Sequence, residues 1–536
     1  MKLRFRTSAV ALLAGAALAL AFPTWRLHVL AWVALVPVFY LAAKATPLGG
    51  FWTFLTAGLM FHLVLLQWLL TNTYWAGGWA VWGYAALSLL MALYWGLFGF
   101  LWTWGRRRAR LFPSALAAAV LWATMEFLQA SLFTGFGWGS LAYSQGRVPN
   151  VIQWAAVGGA FLVSAIVAGF NALVAEMLAE PRHRVLKTAF AVALVAGSIG
   201  GGRFLLDEAD YDTSPFRVGI LQSNFPLEMK WDPEYAVEMA RSAAQKSRRM
   251  YEAEPVDVFV WPESLIMAPI DAPEMQEAVS TLTAQAKCPL FTGATRYGET
   301  SGKPRNASCL VDADGVVLGY YDKVHLAPFG EYVPLGAYLP FIRRVVPAIS
   351  DIEPGERQRT FAVGQRRLGP LICFEVLFQD LAENLRKDGA DFLVVITNLG
   401  WFGESNAIPQ ELEIARVRAI ETRLPLVHCA NTGISGVFDP WGRFTPARGV
   451  VAQTGSFARI RQDVPPERLI RRRLVDALPV AQAGSRPIPL GPTVFPWIAL
   501  GLSSVFIAGA LFISPPQREP IFKIEPRTKR RKPMNG

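Results

Sequence analysis

The feature that most limits what this chain can become is a series of long apolar runs almost free of charge. They fall near residues 7–22, 27–43, 50–71, 79–104, 112–131, 152–178, 185–202 and 494–514. A helix needs about 20 such residues to cross a ~30 Å hydrocarbon slab, and a soluble domain has no use for so many. Composition agrees: 52% of the 536 residues are hydrophobic, and the mean hydropathy is +0.29. The expectation is an α-helical membrane bundle of about eight spans. The first run ends in Ala19-Leu20-Ala21, the form of a cleaved leader. Only Phe22 to Trp25 separate it from Arg26 and the next run, so the two read better as a helical hairpin.

Basic residues orient the bundle. Lys2, Arg4 and Arg6 precede the first run, and Lys44 follows the second. Arg106, Arg107, Arg108 and Arg110 follow the fourth, while Arg182, Arg184 and Lys187 follow the sixth. The segment after the eighth run ends in a basic tail that includes Lys529-Arg530-Arg531-Lys532. The alternate loops hold little more than Arg26 and Arg147. By the positive-inside bias both termini are cytoplasmic, and the long segment between the seventh and eighth runs is exterior. In a bacterium that is the periplasmic side of the inner membrane. The net charge of +11 is mostly this topogenic charge, so no nucleic-acid partner is expected.

Three parts follow: a membrane region at 1–213, an exterior domain at 214–483, and a last helix with its tail at 484–536. In the exterior part, Val218–Asn224, Val256–Pro262, Pro289–Thr295, Leu371–Phe374 and Phe392–Asn398 read as buried strands. Pro233–Ala253, Pro273–Lys287 and Pro409–Arg423 carry helical spacing, each opened by a proline. Asp314-Gly315 and Pro440-Trp441-Gly442 are turn signals. Strands alternating with helices over about 270 residues predict a layered α/β domain with its own core.

Four cysteines, Cys288, Cys309, Cys373 and Cys429, fall in this domain, with no Cys-x-x-Cys spacing. No pair among the five histidines has ligand spacing, so neither a metal nor another cofactor is expected. Cys288, Cys309 and Cys429 read as small buried hydrophobes. Cys373 ends a strand, where α/β sheets place reactive groups. A thiol whose ordinary pKa is near 8.5 needs a carboxylate to take its proton and a cation to hold the charge that develops. Glu263 ends a strand and Lys323 follows a hairpin strand, so the two supply those types.

The runs Val260-Trp261-Pro262-Glu263, Tyr321-Asp322-Lys323-Val324 continuing to Glu331-Tyr332-Val333-Pro334, and Ile372-Cys373-Phe374-Glu375 resemble the three signatures of the nitrilase, or carbon–nitrogen hydrolase, superfamily. Mounted between seven apolar runs and one, they resemble its membrane-embedded branch, the apolipoprotein N-acyltransferases. Met229-Lys230-Trp231, Phe133–Trp138, Asn398–Phe402 and Ala430–Gly433 are further stretches of that kind. The resemblance implies an αββα sandwich with Cys373 as nucleophile, Glu263 as general base and Lys323 as transition-state stabiliser. Glu331, Glu375 and Trp231 carry over as supporting residues, and Phe374, Trp401 and Phe402 as residues on the substrate side. The residue after the nucleophile is often Tyr in this family and is Phe374 here, which leaves an aromatic but not a hydroxyl role. The implied reaction is ping-pong. A phospholipid donates its acyl chain to Cys373, and the α-amine of a diacylated lipoprotein accepts it.

The apolar segment Pro334–Ile349 has two readings: a packed surface helix, or a mobile arm that dips into lipid with Arg343 and Arg344 near headgroup phosphates. Glu126, inside the fifth run, also has two: a functional intramembrane carboxylate or the partner of another helix. A tethered amidase or nitrilase that releases its acyl group to water is the alternative enzyme. A transporter would leave the Glu, Lys and Cys set without a purpose.

Overall fold

The computed structural model describes residues 2–109, 112–207, 216–230, 232–334, 351–447, 475–478 and 492–512. Trp231, Arg343, Arg344, nearly all of the Pro334–Ile349 segment and the basic tail lie outside the described residues.

Helical structure stands at each of the eight apolar runs. Among the described residues four helices, Pro47–Leu65, Trp79–Gly105, Ala155–Ala179 and Arg184–Leu206, are long and apolar enough to cross a membrane. The apolar helical stretches at Arg6–Ala19, Leu30–Lys44 and Phe495–Leu511 are shorter, so four of the about eight expected spans meet this measure. Large side chains such as Trp82, Leu93, Val185, Phe190 and Phe204 stay exposed on these helices, as a lipid-facing surface requires.

The second run is not one helix but two, Leu30–Val33 and Val36–Lys44. Pro37 has no N–H to continue the ladder. Asn171 fills the break from the helix Ala155–Ala179, accepting from Leu35 N at 3.1 Å and donating to Ala31 O at 2.9 Å. Glu126 is also a cross-helix clamp. It accepts from Trp122 Nε1 at 2.8 Å, Ser140 Oγ at 2.6 Å and Leu141 N at 3.0 Å, which pins the 140–142 turn to the helix Ser114–Ser131. That geometry selects the structural reading.

The basic residues gather at one end of the bundle. Arg106 donates to Ala43 O at 2.9 Å and pairs with Glu180 at 2.9 Å, while Lys187 reaches Glu180 O at 3.3 Å. The α/β part attaches elsewhere, through Trp68, Trp138, Tyr143, Arg147 and the start of the helix Ala155–Ala179.

Among the described residues the α/β part holds two six-stranded sheets. The first has the order β12 (Val475–Leu478), β1 (Phe216–Ile220), β2 (Val258–Val260), β3 (Leu290–Tyr297), β4 (Pro304–Val311), β5 (Val317–Asp322). The second runs β11 (Phe444–Pro446), β10 (Gly436–Phe438), β9 (Leu426–Ala430), β8 (Phe392–Thr397), β7 (Arg366–Ile372), β6 (Phe361–Val363). Val218, Val260 and Phe291 of one sheet meet Ile372, Val394 and Ile396 of the other in a shared core. The helices Ala236–Ala253 and Pro273–Ala286 cover the outer face of the first sheet. Gln379–Lys387 and Ala407–Thr422 cover the second. The layers are therefore αββα, as expected. Pro409 lies inside its helix rather than opening it, because that helix begins two residues earlier, at Ala407.

The central pairs β1/β2, β2/β3, β7/β8 and β8/β9 are parallel. Strand ends carrying Glu263, Cys373 and Thr397 thereby collect at one edge of the sandwich. On the outer side of the second sheet the apolar cluster continues without a break into the membrane helices.

Candidate active site

Cys373 is the first residue after β7 and opens the 3-10 turn Cys373–Leu377. Its φ is +50°, a left-handed conformation that costs a non-glycine residue about 1–2 kcal/mol. The strain persists because Glu375 ties the elbow down. Its Oε2 accepts from Ile372 N at 2.8 Å. Its Oε1 accepts from Tyr321 Oη at 2.7 Å, Val324 N at 2.8 Å and His325 N at 3.2 Å. Glu375 is fully buried, so it touches no substrate; it joins the cysteine's turn to the loop that carries Lys323. Burial raises its pKa to about 6, against the pull of these hydrogen bonds and Lys323.

Glu263 follows β2, and Gly293 of β3 lets the chain pass it. A Cβ at 293 would stand 2.6 Å from Ser264 N and 2.8 Å from Glu263 Cα. Lys323 follows β5, beside Asn306 of β4, whose carbonyl accepts its N–H at 2.8 Å. The Asn306 amide nitrogen donates to both Glu263 Oε1 at 2.8 Å and Glu331 Oε1 at 2.7 Å. Lys323 Nζ lies 3.0 Å from Glu331 Oε1, 2.9 Å from Oε2, and 3.7 Å from Glu263 Oε1. Ala327 N adds a bond of 2.7 Å to Glu331 Oε2.

These contacts divide the two carboxylates. Glu331 is saturated by Lys323, Asn306 and Ala327, which fixes its carboxyl group in place. Glu263 takes one hydrogen bond among the described residues, so it has a lone pair to offer a proton. Burial opposes the charge on Lys323, yet Glu331 and Glu263 more than offset it and hold the ammonium above its ordinary range. Burial pushes the Cys373 thiol well above its ordinary value; Glu263 adds to this, while Lys323 and the neighbouring Thr397 hydroxyl oppose it. The resting Cys373 side chain is then a thiol.

Lys230 was not foreseen. Its Nζ is buried and donates to the Glu263 carbonyl at 2.9 Å, and burial lowers its pKa to about 7 against the pull of Glu263. Asn306 was also missed, since an Asn on a strand carries no signal until its two carboxylate partners are in place. Cys288, Cys309 and Cys429 are free and buried, as read. Phe374 packs edge-on against Phe378, which stacks on His325 at 3.6 Å. His325 Nε2 donates to Thr134 O at 2.8 Å, joining the lysine loop to the membrane part. Phe402 lies edge-on to Trp68, and Trp68 against Trp138. The Phe133–Trp138 and Asn398–Phe402 stretches therefore meet at the boundary between the two parts.

Residues 14–173 match the apolipoprotein N-acyltransferase N-terminal domain, and residues 217–464 match the carbon-nitrogen hydrolase family. An apolipoprotein N-acyltransferase of Geobacter metallireducens is 33% identical over 451 residues, 81% of this chain and 85% of that protein. The chain belongs to the apolipoprotein N-acyltransferase family. A second relative of that description, from Gloeobacter violaceus, is 31% identical over 460 residues, covering 81% of this chain and 84% of its own. Among solved structures, Saccharomyces cerevisiae Nit3, of the nitrilase superfamily, is 19% identical over 43% of this chain and 85% of its own, with a TM-score of 0.35. Family membership makes the protein a membrane-embedded acyltransferase with a carbon–nitrogen hydrolase domain, which agrees with the resemblance read from its three motifs.

Proposed function

We propose that this chain moves an acyl chain from a phospholipid to the α-amine of an N-terminal S-diacylglyceryl-cysteine on a lipoprotein, through a thioester on Cys373. The observation that carries it is the set of buried Glu263, Glu331 and Lys323, bridged by half-buried Asn306, around a cysteine held in a strained elbow.

Glu263 takes the Sγ proton as the sulfur bonds to the ester carbonyl carbon. Lys323 faces the oxyanion of the tetrahedral intermediate. The carbon–oxygen bond to glycerol breaks, Glu263 returns the proton to that oxygen, and lysophospholipid leaves. The acceptor amine then attacks the thioester, loses its proton to Glu263, and the thiol re-forms. Glu331 keeps Lys323 in place, and Glu375 keeps the elbow and the lysine loop in register. In this reading Phe374, Trp401, Phe402, Arg343 and Arg344 bind substrate, and Trp231 is a supporting residue. A lipid-engaging arm within Pro334–Ile349 would help exclude water, whose attack on the thioester is the competing route.

The setting is the inner membrane of a bacterium, with the bundle formed by 1–213 and 484–536 in about eight spans. Both termini are cytoplasmic and 214–483 is periplasmic. The gathering of Arg106, Lys187 and their partners at one end supports this orientation.

Mass spectrometry tests the reaction. With phospholipid, Cys373 should gain an acyl mass that moves to the amine of an added diacylated lipopeptide. Cys373→Ala should show no adduct and Cys373→Ser at most a trace. An adduct lost equally fast without peptide would mark a hydrolase instead.

A further inference from the structure

Behind the thiol lies a second set of buried polar groups. Thr397 ends β8, and the register Ile372↔Ile396 makes it the next step across from Cys373. Its hydroxyl donates to Glu411 Oε1 at 3.1 Å. The other oxygen, Glu411 Oε2, has no hydrogen-bond partner among the described residues and lies 3.8 Å from His428 Nε2, which also has none there. Glu411 is 2% exposed, His428 1% and Thr397 0%. His428 Nδ1 donates to the Ile434 carbonyl at 2.8 Å, so in the neutral ring Nε2 carries a bare lone pair.

Two buried acceptors that face each other without a proton each forfeit a hydrogen bond. One proton on Glu411, with the 3.8 Å gap closed to hydrogen-bond length, removes both losses. It also removes a negative charge from a pocket that already holds Glu263 and the developing thiolate, with Lys323 engaged by Glu331.

We propose that Glu411 and His428 hold one proton in common, so that Thr397 stands between the nucleophile and an uncharged acid. This rests on Cys373 being the nucleophile. In the attack the Sγ–H bond breaks, the proton goes to Glu263, and the sulfur electron pair forms the bond to the carbonyl carbon. The Glu411 proton does not leave its pair. Thr397 turns its O–H from Glu411 Oε1 to Sγ and supports the charge there. An ionised Glu411 would keep that hydroxyl in a charge-assisted bond and would repel the thiolate. Glu411 and Thr397 are thus positioning residues. The titratable groups that bear on Glu411 are Glu263, Lys323, Cys373 and His428. Burial raises its pKa to about 8 with Glu263 adding, against the Thr397 bond and Lys323. Burial also lowers His428 to about 4, against its bond to Ile434, which puts the shared proton on Glu411.

The test follows iodoacetamide alkylation of Cys373 and acyl-enzyme formation from phospholipid vesicles, each against pH, on the full chain in detergent. As pH rises through about 8 Glu411 ionises, so wild-type acylation should fall several-fold by about pH 9.5. Glu411→Gln offers the same donor and acceptor without charge. It should stay within about 3-fold of wild type near pH 7 and lose the alkaline fall. Glu411→Met should be slower, yet also without that fall. The proposal is overturned if either variant keeps the fall, or if Glu411→Gln loses more than about 30-fold near pH 7. Alkylation needs no lipid. Variants that alkylate as expected while no protein forms an acyl adduct would sink the acyl-transfer reading and leave the proton pair standing.

Discussion

The helices Ala236–Ala253 and Ala407–Thr422 do the same architectural job, each covering the outer face of one sheet. Their chemistry is opposite. On the first, Ala240, Ala243 and Ser247 are buried while Arg241 and Arg248 pair in water with Glu277 and Glu252. On the second, every residue from Ala407 to Thr422 is buried, including Glu411, Glu413, Arg416, Arg418 and Glu421. The membrane bundle covers the face that solvent would otherwise wet, and each charge there has needed a partner. Glu413 pairs with Arg147 and Arg416, at 2.9 and 2.6 Å. Glu421 pairs with Arg418 at 3.0 Å and accepts from Ala160 N at 2.8 Å, just after the break at Gly158 and Gly159 in its helix. An outer helix of a sandwich has become the joint between two regions, with its partners dictated by the bundle.

The sharpest way to break this contrast is Arg418→Met, which leaves Glu421 buried without its cation. A loss of about 3–5 kcal/mol is expected in equilibrium unfolding in detergent, because an unpaired buried charge is costly. Adding Glu421→Gln should recover part of that loss, since the two residues couple. Equal costs for the single and double variants would show that the pair is not the unit.

Gly135→Ala probes the same boundary from the membrane side. The residue has φ +68°, and a Cβ there would stand 2.2 Å from Ala130 O and 3.0 Å from the Phe378 ring. A cost of about 1–3 kcal/mol is expected from strain and overlap, with acyl-enzyme formation slowed because Thr134 holds His325. Unchanged rates would disconnect this loop from the site. The smallest effect belongs to Arg248→Ala on the solvent-facing helix, within about 0.5 kcal/mol in the same unfolding assay, since its pair with Glu252 is exposed. A cost matching that of Arg418→Met would erase the distinction between the two helices.

Much of the site was legible because its residues sit at strand ends in short local patterns. Trp261-Pro262-Glu263, Asp322-Lys323 and Ile372-Cys373-Phe374-Glu375 each declare a strand that stops at a reactive side chain, and the layered fold brings those stops to one edge. The division of labour between Glu263 and Glu331 came from the resemblance and not from local spacing. Its physical basis is which carboxylate Ala327 N and Lys323 engage: Lys323 Nζ stands 2.9 Å from Glu331 and 3.7 Å from Glu263.

By itself the sequence determined the apolar runs, the basic end of the bundle and a layered α/β alternation, because each is written in neighbouring residues, while its three motifs carried the resemblance that implies the αββα sandwich and the roles of Cys373, Glu263 and Lys323. Only the tertiary structure decided that Glu126 is a clamp, that Asn171 mends a broken helix, and that Ala407–Thr422 is buried all round. The same holds for the facing of Glu411 and His428 behind Cys373. The partners involved, such as Arg147 to Glu413 at 266 residues and Tyr143 to Arg418 at 275, are far apart along the chain. Whether a charge is solvated or must be paired depends on what covers it, and local spacing carries no record of that.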